Sequence, residues 1–408
     1  MVYEFDTTPA YKRDSTRLQQ QLEDLRSFRA DAAIGAPHAG YAIQPFKALR
    51  RSRDPDALPS HPFLDELELP TFLYWDHALL QLPRYLVSRW PHGPEDSTAG
   101  VRQRLRALFN HPRAVHLFSD SGQIAELHRL GIAEFPANAC YIPGISHQYV
   151  EYGNAPDSPG GSNDGAAFFG NIYVAAARRI TYAHEALFEL RRKALTALDV
   201  DWDRAPYEAY RDEIDRLAPA LSAQLRLDPE QSFYWRFLFD ELACVVNGER
   251  RLRVALACGR PLTYFGGFAD PESRAIARDS GCILGDEYLP YGRSLAAAYQ
   301  RQAVSIDVVN APYINGFSTK LFSCFAAGGF MLSSRKSDLT AALGSLADPI
   351  SYSTAAELAA KVDHFLTARD QRRELADHIK EAVCDRFTVS SLFARTVPAA
   401  LESLRAYN

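Results

Sequence analysis

None of the six cysteines, Cys140, Cys244, Cys258, Cys282, Cys324 and Cys384, pairs with another in a Cys-x-x-Cys spacing. Such scatter fits neither a zinc site nor a disulfide framework, and it leads us to expect a reducing, cytoplasmic location. No uninterrupted apolar run approaches the ~20 residues that span a bilayer, so no transmembrane segment is expected. The opening Met1-Val2-Tyr3-Glu4-Phe5-Asp6 lacks the basic-then-apolar order of a signal peptide. A basic excess is missing too. The 45 Lys+Arg stand against 50 Asp+Glu, a net charge of −5, which argues against a dedicated nucleic-acid binder. A local basic pocket for an anionic ligand is still compatible with that balance. The chain has no Gly-x-x-x-x-Gly-Lys-Ser/Thr loop, no His-Glu-x-x-His and no Gly-x-Ser-x-Gly elbow. Asp-x-Asp runs such as Asp199-Val200-Asp201 and Asp54-Pro55-Asp56 sit in charged, loop-like or helical surroundings rather than at a strand end, so no metal site is expected.

What is present is ordinary globular material. The 408 residues, 47% hydrophobic and 23% charged, suit two or three domains. Residues 153–165 hold almost only Gly, Pro, Ser, Asn and Asp, which bury too little apolar area to form an element, and they are expected to be a linker. Upstream, Leu18, Leu22 and Leu25 mark an amphipathic helix over residues 14–29. Strands are predicted at 32–35, 71–75, 115–118 and 139–143, with a helix over 122–130. Downstream, the predicted strand at 166–171 precedes a long helical region, roughly 181–256. Strands follow at 261–266, 303–310 and 329–333, then a helix over 370–387. Pro398 is expected to kink the last segment or to start a new helix. Strands alternating with helices predict parallel sheets, and hence an α/β chain of two Rossmann-like halves.

One segment stands out, residues 310–330, which reads as strand, loop, short helix and strand. Ser318 is placed to cap that helix, whose first turn contains Lys320, a charge that opposes the helix dipole. A bound phosphate would relieve this conflict; a plain βα turn with a solvated lysine would equally fit the local pattern. The wording Asn315-Gly316-Phe317-Ser318-Thr319-Lys320-Leu321-Phe322-Ser323 resembles the donor-binding stretch of GT-B glycosyltransferases of the group 1 superfamily, in particular the spore-coat-type branch. Phe168-Phe169-Gly170-Asn171 with Arg178 and Arg179, Leu262-Thr263-Tyr264-Phe265-Gly266, and Leu289-Pro290-Tyr291-Gly292 resemble other donor-domain pieces in the same order.

The resemblance implies two Rossmann-like domains facing a cleft, with a helical insertion in the C-terminal half. Residues 1–152 would form the acceptor domain and 166–387 the donor domain, with a C-terminal helix at 388–408 packing back on the first. It further implies transfer of a hexosyl or deoxyhexosyl unit from a nucleotide sugar to a protein or glycan hydroxyl, without a metal and with no cofactor beyond the co-substrate. The donor would be held by Gly170, Asn171, Arg178, Tyr264, Gly266, Tyr291, Asn315, Gly316, Phe317, Ser318, Thr319, Lys320 and Ser323. Many relatives carry two glutamates eight positions apart where this chain has Asn315 and Ser323, and a noncatalytic nucleotide-sugar-binding or scaffold protein is the alternative reading.

In the first half, Tyr74-Trp75-Asp76-His77 follows a predicted strand, where α/β proteins place ligand-binding groups. Asp76 is the expected general base and His77 its partner, which leans the transfer towards inversion; an Asp-His pair capping the next helix is the plain alternative. Ser119-Asp120-Ser121-Gly122 reads as a helix cap, and His147 as either a cleft or a linker residue.

Overall fold

The computed structural model describes residues 33–35, 70–75, 106, 109–132, 139–143, 163–267, 270–287, 289 and 292–407. Among the described residues, four short strands come first: β1 (Ala33–Gly35), β2 (Thr71–Trp75), β3 (Ala114–Phe118) and β4 (Ala139–Tyr141), with α1 (Ser121–Arg129) between the last two. They form one parallel sheet in the order β1-β2-β3-β4. The segment Thr71-Phe72-Leu73-Tyr74-Trp75 sets β-branched Thr71 and three aromatic residues beside Leu73, as suits a strand buried on both faces. The helix expected over 14–29, together with Asp76, His77, His147 and Tyr291, lies outside the described residues.

The second sheet opens with β5 (Asn163–Phe169), which begins three residues before the expected 166. Asn163 is drawn into the ladder beside Gln302, so a polar stretch with no strand propensity is ordered by its parallel neighbour. Helices follow: α2 (Val174–Arg179), α3 (Glu185–Val200), α4 (Pro206–Asp215), α5 (Pro219–Leu225), α6 (Ser232–Phe239), α7 (Asp240–Arg250, with π-type winding and a kink at Gly248) and α8 (Arg251–Leu256). Proline opens α4 and α5 at their first positions, where its missing N–H costs nothing. Next come β6 (Leu262–Phe265), α9 (Pro271–Asp279), β7 (Ile283–Leu284), α10 (Arg293–Arg301), β8 (Gln302–Asp307), α11 (Thr319–Ala326), β9 (Met331–Ser334), α12 (Ser337–Leu343), α13 (Ala347–Ile350) and β10 (Ser351–Tyr352). The chain ends in α14 (Ala355–Thr367), α15 (Arg369–Arg386) and α16 (Val389–Tyr407). Of the two outcomes expected at Pro398, a kink or a new helix start, the second does not occur: α16 runs through Pro398 as one element. Proline removes only one hydrogen-bond donor and leaves the rest of the ladder to carry the helix.

All six strands of this sheet are parallel, in the order β10-β9-β8-β5-β6-β7. The chain builds outward from β5 in one direction and from β8 in the other. Their adjacent carboxyl ends therefore open a crevice at the switch point, the place where such sheets bind ligands.

The described residues form two apolar cores. One unites the second sheet and its flanking helices with Phe72, Val115, Leu117 and Ile142 of the first half. The other joins Leu73, Trp75, Ala114 and Phe118 to Leu187, Leu190, Tyr207, Tyr210, Trp235 and Phe237 of the helical insertion. Period-two alternation along β2 and β3 sends odd and even residues into different cores, as a two-faced strand must. The insertion lies between β5 and β6 in sequence, yet it shares its core with the first sheet. Two parallel α/β sheets, tied by this insertion, form the architecture expected from the alternation of strands and helices.

Candidate functional site

At the switch point, β5 ends at Phe169 and Gly170 N–H donates to the Phe265 carbonyl at 2.9 Å. A Cβ on Gly266 would lie 2.3 Å from the Gly170 carbonyl oxygen, so the loops after β5 and β6 touch through backbone that only glycine permits. Asn171 Oδ1 accepts the Gly267 N–H at 2.9 Å and zips the same two loops. Tyr264 is buried behind them, its ring 5.9 Å from that of Phe168, and burial pushes its hydroxyl up to about 12.

Two cations converge here. Arg251, buried at the start of α8, donates through Nε and Nη2 to the Val308 carbonyl (3.0 and 2.6 Å) and through Nη1 to the Asn171 carbonyl (2.9 Å). Lys320 Nζ lies 2.8 Å from Asp307 Oδ1 and donates to the Phe169 carbonyl at 2.8 Å. A Cβ on Gly170 would sit 3.4 Å from both Arg251 Nη2 and Lys320 Nζ, so the glycine floors a small basic recess. Asp307 is fully buried, and its backbone carbonyl accepts the Tyr352 hydroxyl at 2.9 Å. Burial lowers the Lys320 ammonium below its ordinary value, against the opposing pull of Asp307. Two cations and one carboxylate leave one excess positive charge at the crevice. Lys320 therefore does not sit as a solvated first-turn lysine; its side chain pins the ends of β5 and β8 together.

The rest of the 315–323 stretch divides by role. Ser318 Oγ accepts Lys320 N–H at 3.3 Å and caps α11 as expected. Phe317 is fully buried with its ring 4.8 Å from that of Phe322, and so faces the core. Ser323 Oγ donates back to the Thr319 carbonyl at 3.1 Å, within the helix. Arg178 is exposed and paired with Glu249 at 3.0 Å and with Glu272, while Arg179 is exposed at the end of α2.

Asn315 and Gly316 lie elsewhere, against the first half of the chain. Asp120 follows β3, and its carboxylate accepts Gly122 N–H (2.8 Å) as the cap of α1. It also accepts Ile314 N–H (2.6 Å) and Asn315 N–H (3.0 Å). In return, Asp338 accepts Ser121 N–H (2.9 Å) and Oγ–H (2.6 Å). Lys336 Nζ donates to the Ile314 carbonyl at 3.1 Å, and Asn315 Nδ2 donates to Ser121 Oγ at 3.1 Å. Each half thus sends an aspartate to backbone N–H groups of the other. Burial raises both carboxyls, although the Ile314 and Asn315 N–H groups partly counter this for Asp120.

The structure gathers Gly170, Asn171, Gly266 and Lys320 at the switch point with Tyr264 behind them, puts Asn315 and Gly316 at the inter-sheet clasp, and points Arg178 outward. The sequence reading missed Arg251 and Asp307. Arg251 sits in a charged helical run with no motif around it, but an acid at the end of the apolar stretch Ala303-Val304-Ser305-Ile306-Asp307 was a visible signal. Among the described residues, no group of three or more His, Cys, Asp or Glu side chains is placed to hold a metal ion, and no helix is long and apolar enough to cross a membrane.

Residues 273–396 match a family described as "Glycosyl transferase-like". No curated protein matches the chain. Among solved structures, it is similar to a sucrose-phosphate synthase from Thermosynechococcus elongatus, at 13% identity and a TM-score of 0.47 over 100% of this chain and 82% of that one. A glycosyltransferase from Rickettsia africae is similar at 9% identity and a TM-score of 0.45, over 99% and 84%. An α,α-trehalose 6-phosphate synthase from Burkholderia multivorans is similar at 11% identity and a TM-score of 0.44, over 99% and 79%. The glycosyl transferase-like stretch contains Asp307, Asn315, Lys320 and Asp338, and so supplies one wall of the switch-point crevice and one side of the clasp.

Proposed function

We propose that the chain is a GT-B glycosyltransferase that moves a sugar from a nucleotide-sugar donor to a hydroxyl of a protein or glycan acceptor. The observation that carries this reading is the pair of fixed cations, Arg251 and Lys320, at the β5/β8 switch point beside Gly170. An ammonium has three donors and a guanidinium five; two and three are used here, which leaves N–H groups for phosphate oxygens. A leaving nucleoside diphosphate develops charge, and pre-placed cations stabilise that charge without reorganising. On this reading the transfer needs no metal, Asn171 and Gly266 line the diphosphate site, and Tyr291 lies near the donor. We further assign Asp76 as general base, with His77 orienting the acceptor and the anomeric configuration inverted. The spore-coat-type branch remains our placement within the wider family.

The second reading, nucleotide-sugar binding without transfer, is favoured by one observation. Ser323 stands where many relatives carry a glutamate, and its hydroxyl is turned to the Thr319 carbonyl. A nucleotide-release screen over nucleotide sugars separates the two. Release that rises with an added acceptor supports transfer, whereas donor binding without release supports the second reading. An Asp76→Asn variant should bind donor normally and turn over roughly a hundredfold more slowly. Near-normal turnover in that variant, or a product that keeps the donor's anomeric configuration, would overturn the assignment of Asp76.

A further inference from the structure

We propose that Tyr173 is a ligand-binding residue, its hydroxyl donating to a phosphate oxygen of the nucleotide sugar at the mouth of the switch-point crevice. The inference rests on the donor site proposed above. Tyr173 ends the loop that leaves β5, just after Asn171, whose carbonyl Arg251 holds at 2.9 Å. At 39% exposure it is one of four large hydrophobic side chains left exposed among the described residues. Local structure does not account for a tyrosine there. The residue stands at the N-cap of α2, where serine, threonine, aspartate or asparagine is favoured, and it makes no side-chain capping bond. Asp270, the cap of α9, does that work from outside by accepting the Ala175 N–H at 2.9 Å. The Tyr173 ring belongs to neither apolar core. A residue that breaks a local preference with no local gain marks a position where function sets the choice.

The surroundings supply the chemistry. Tyr173, Tyr264 and Tyr352 all lie within electrostatic reach of the Arg251 guanidinium. Tyr264 and Tyr352 are buried, and the Tyr352 hydroxyl is engaged by the Asp307 carbonyl at 2.9 Å. Tyr173 is the exposed one of the three, and its hydroxyl meets no hydrogen-bond partner among the described residues. Its backbone is anchored on both sides: the N–H donates to the Asn247 carbonyl at 3.4 Å, and the carbonyl accepts the Ala177 N–H at 2.9 Å. A phenol on an anchored backbone, beside a guanidinium with unused N–H groups, can meet a phosphate oxygen that the guanidinium also meets. As a neutral donor it adds direction to the site without a further charge to desolvate.

The test is calorimetric titration of UDP, GDP, ADP and dTDP into the intact chain and into its Tyr173→Phe and Tyr173→Ala variants. The diphosphate that binds the unaltered chain should bind Tyr173→Phe about tenfold more weakly, the scale of a lost hydrogen bond to a charged group. Tyr173→Ala should lose no more than about twofold beyond that. The urea midpoint of Tyr173→Phe should stay where it is, because the hydroxyl has no partner to lose in the free protein. Phosphorus NMR of the bound nucleotide should show shifted phosphate resonances in Tyr173→Phe. Unchanged affinity in Tyr173→Phe overturns the proposal. So does a loss confined to Tyr173→Ala, which would assign the contact to the ring. Weakened binding with unmoved phosphate resonances overturns it too, by assigning the contact to the nucleoside. If none of the four diphosphates binds the unaltered chain, the donor-site reading fails and takes this inference with it. Binding that ignores the Tyr173 hydroxyl leaves that reading standing and removes this inference alone.

Discussion

Lys320 and Asp307 show how a site residue can also be a structural one. The ammonium sits 2.8 Å from a carboxylate that has no solvent exposure, so removing the lysine strands a buried charge. Lys320→Met is therefore expected to lower unfolding free energy in urea by about 3–5 kcal/mol, and adding Asp307→Asn should recover most of that loss. Nucleotide affinity measured in Lys320→Met alone would mix the two effects, so the double variant is the fair test of a phosphate contact. Asp240 gives a separate titration. Burial pushes its carboxyl up to about 6, with Arg236 at 4.0 Å only partly opposing. The folded state then holds this proton more tightly than the unfolded state. Its stabilising contribution is full below the unfolded carboxyl value and is lost as pH rises through about 6. Asp240→Asn should match the unaltered protein near pH 4 and exceed it near pH 7 by about 2 kcal/mol, as chemical denaturation at the two pH values will show.

At the level of elements, the insertion is organised around Glu241, a fully buried carboxylate on α7. Arg191 from α3 reaches it with Nη2 at 2.7 Å and Tyr210 from α4 donates at 2.7 Å, while Tyr182 supplies a further hydroxyl donor. Three helices are thus fixed by one charge whose acceptor positions are filled. Glu241→Gln keeps the volume but leaves Arg191 buried against a neutral amide, and should cost about 3 kcal/mol, read from the urea midpoint. Elements like these were only partly legible in the sequence. Predicted strands at 71–75 and 115–118, and the Ser318 cap, correspond to β2, β3 and α11 because hydrophobic runs and cap residues are local signals. The partners of Asp120 were not readable, because Ile314 and Asn315 are almost two hundred positions away and backbone N–H groups leave no mark in sequence. Arg251 was hidden for the same reason, since its value lies in the carbonyls it meets at the ends of β5 and β8.

For the molecule as a whole, the decisive fact is that the chain leaves β5, packs α3–α7 against the first sheet, and returns through α8 to β6. A chain of this length would by default unfold in separate steps, one for each sheet. Here the first sheet is held on both faces: Phe72, Val115 and Leu117 belong to the core of the second sheet, and Leu73, Trp75 and Phe118 belong to the core of the insertion. The Asp120 and Asp338 contacts close the same interface at its polar edge. Neither sheet can lose its packing without exposing apolar area that the other also covers, so the two should unfold together. Tryptophan fluorescence and far-ultraviolet circular dichroism are therefore expected to report one shared urea midpoint. Trp235→Ala, which empties a fully buried site in the insertion, should lower that midpoint for both probes by the equivalent of about 3–5 kcal/mol. If fluorescence moved while dichroism kept a second, unshifted transition, the sheets would be independent units and the insertion merely an appendage of the first.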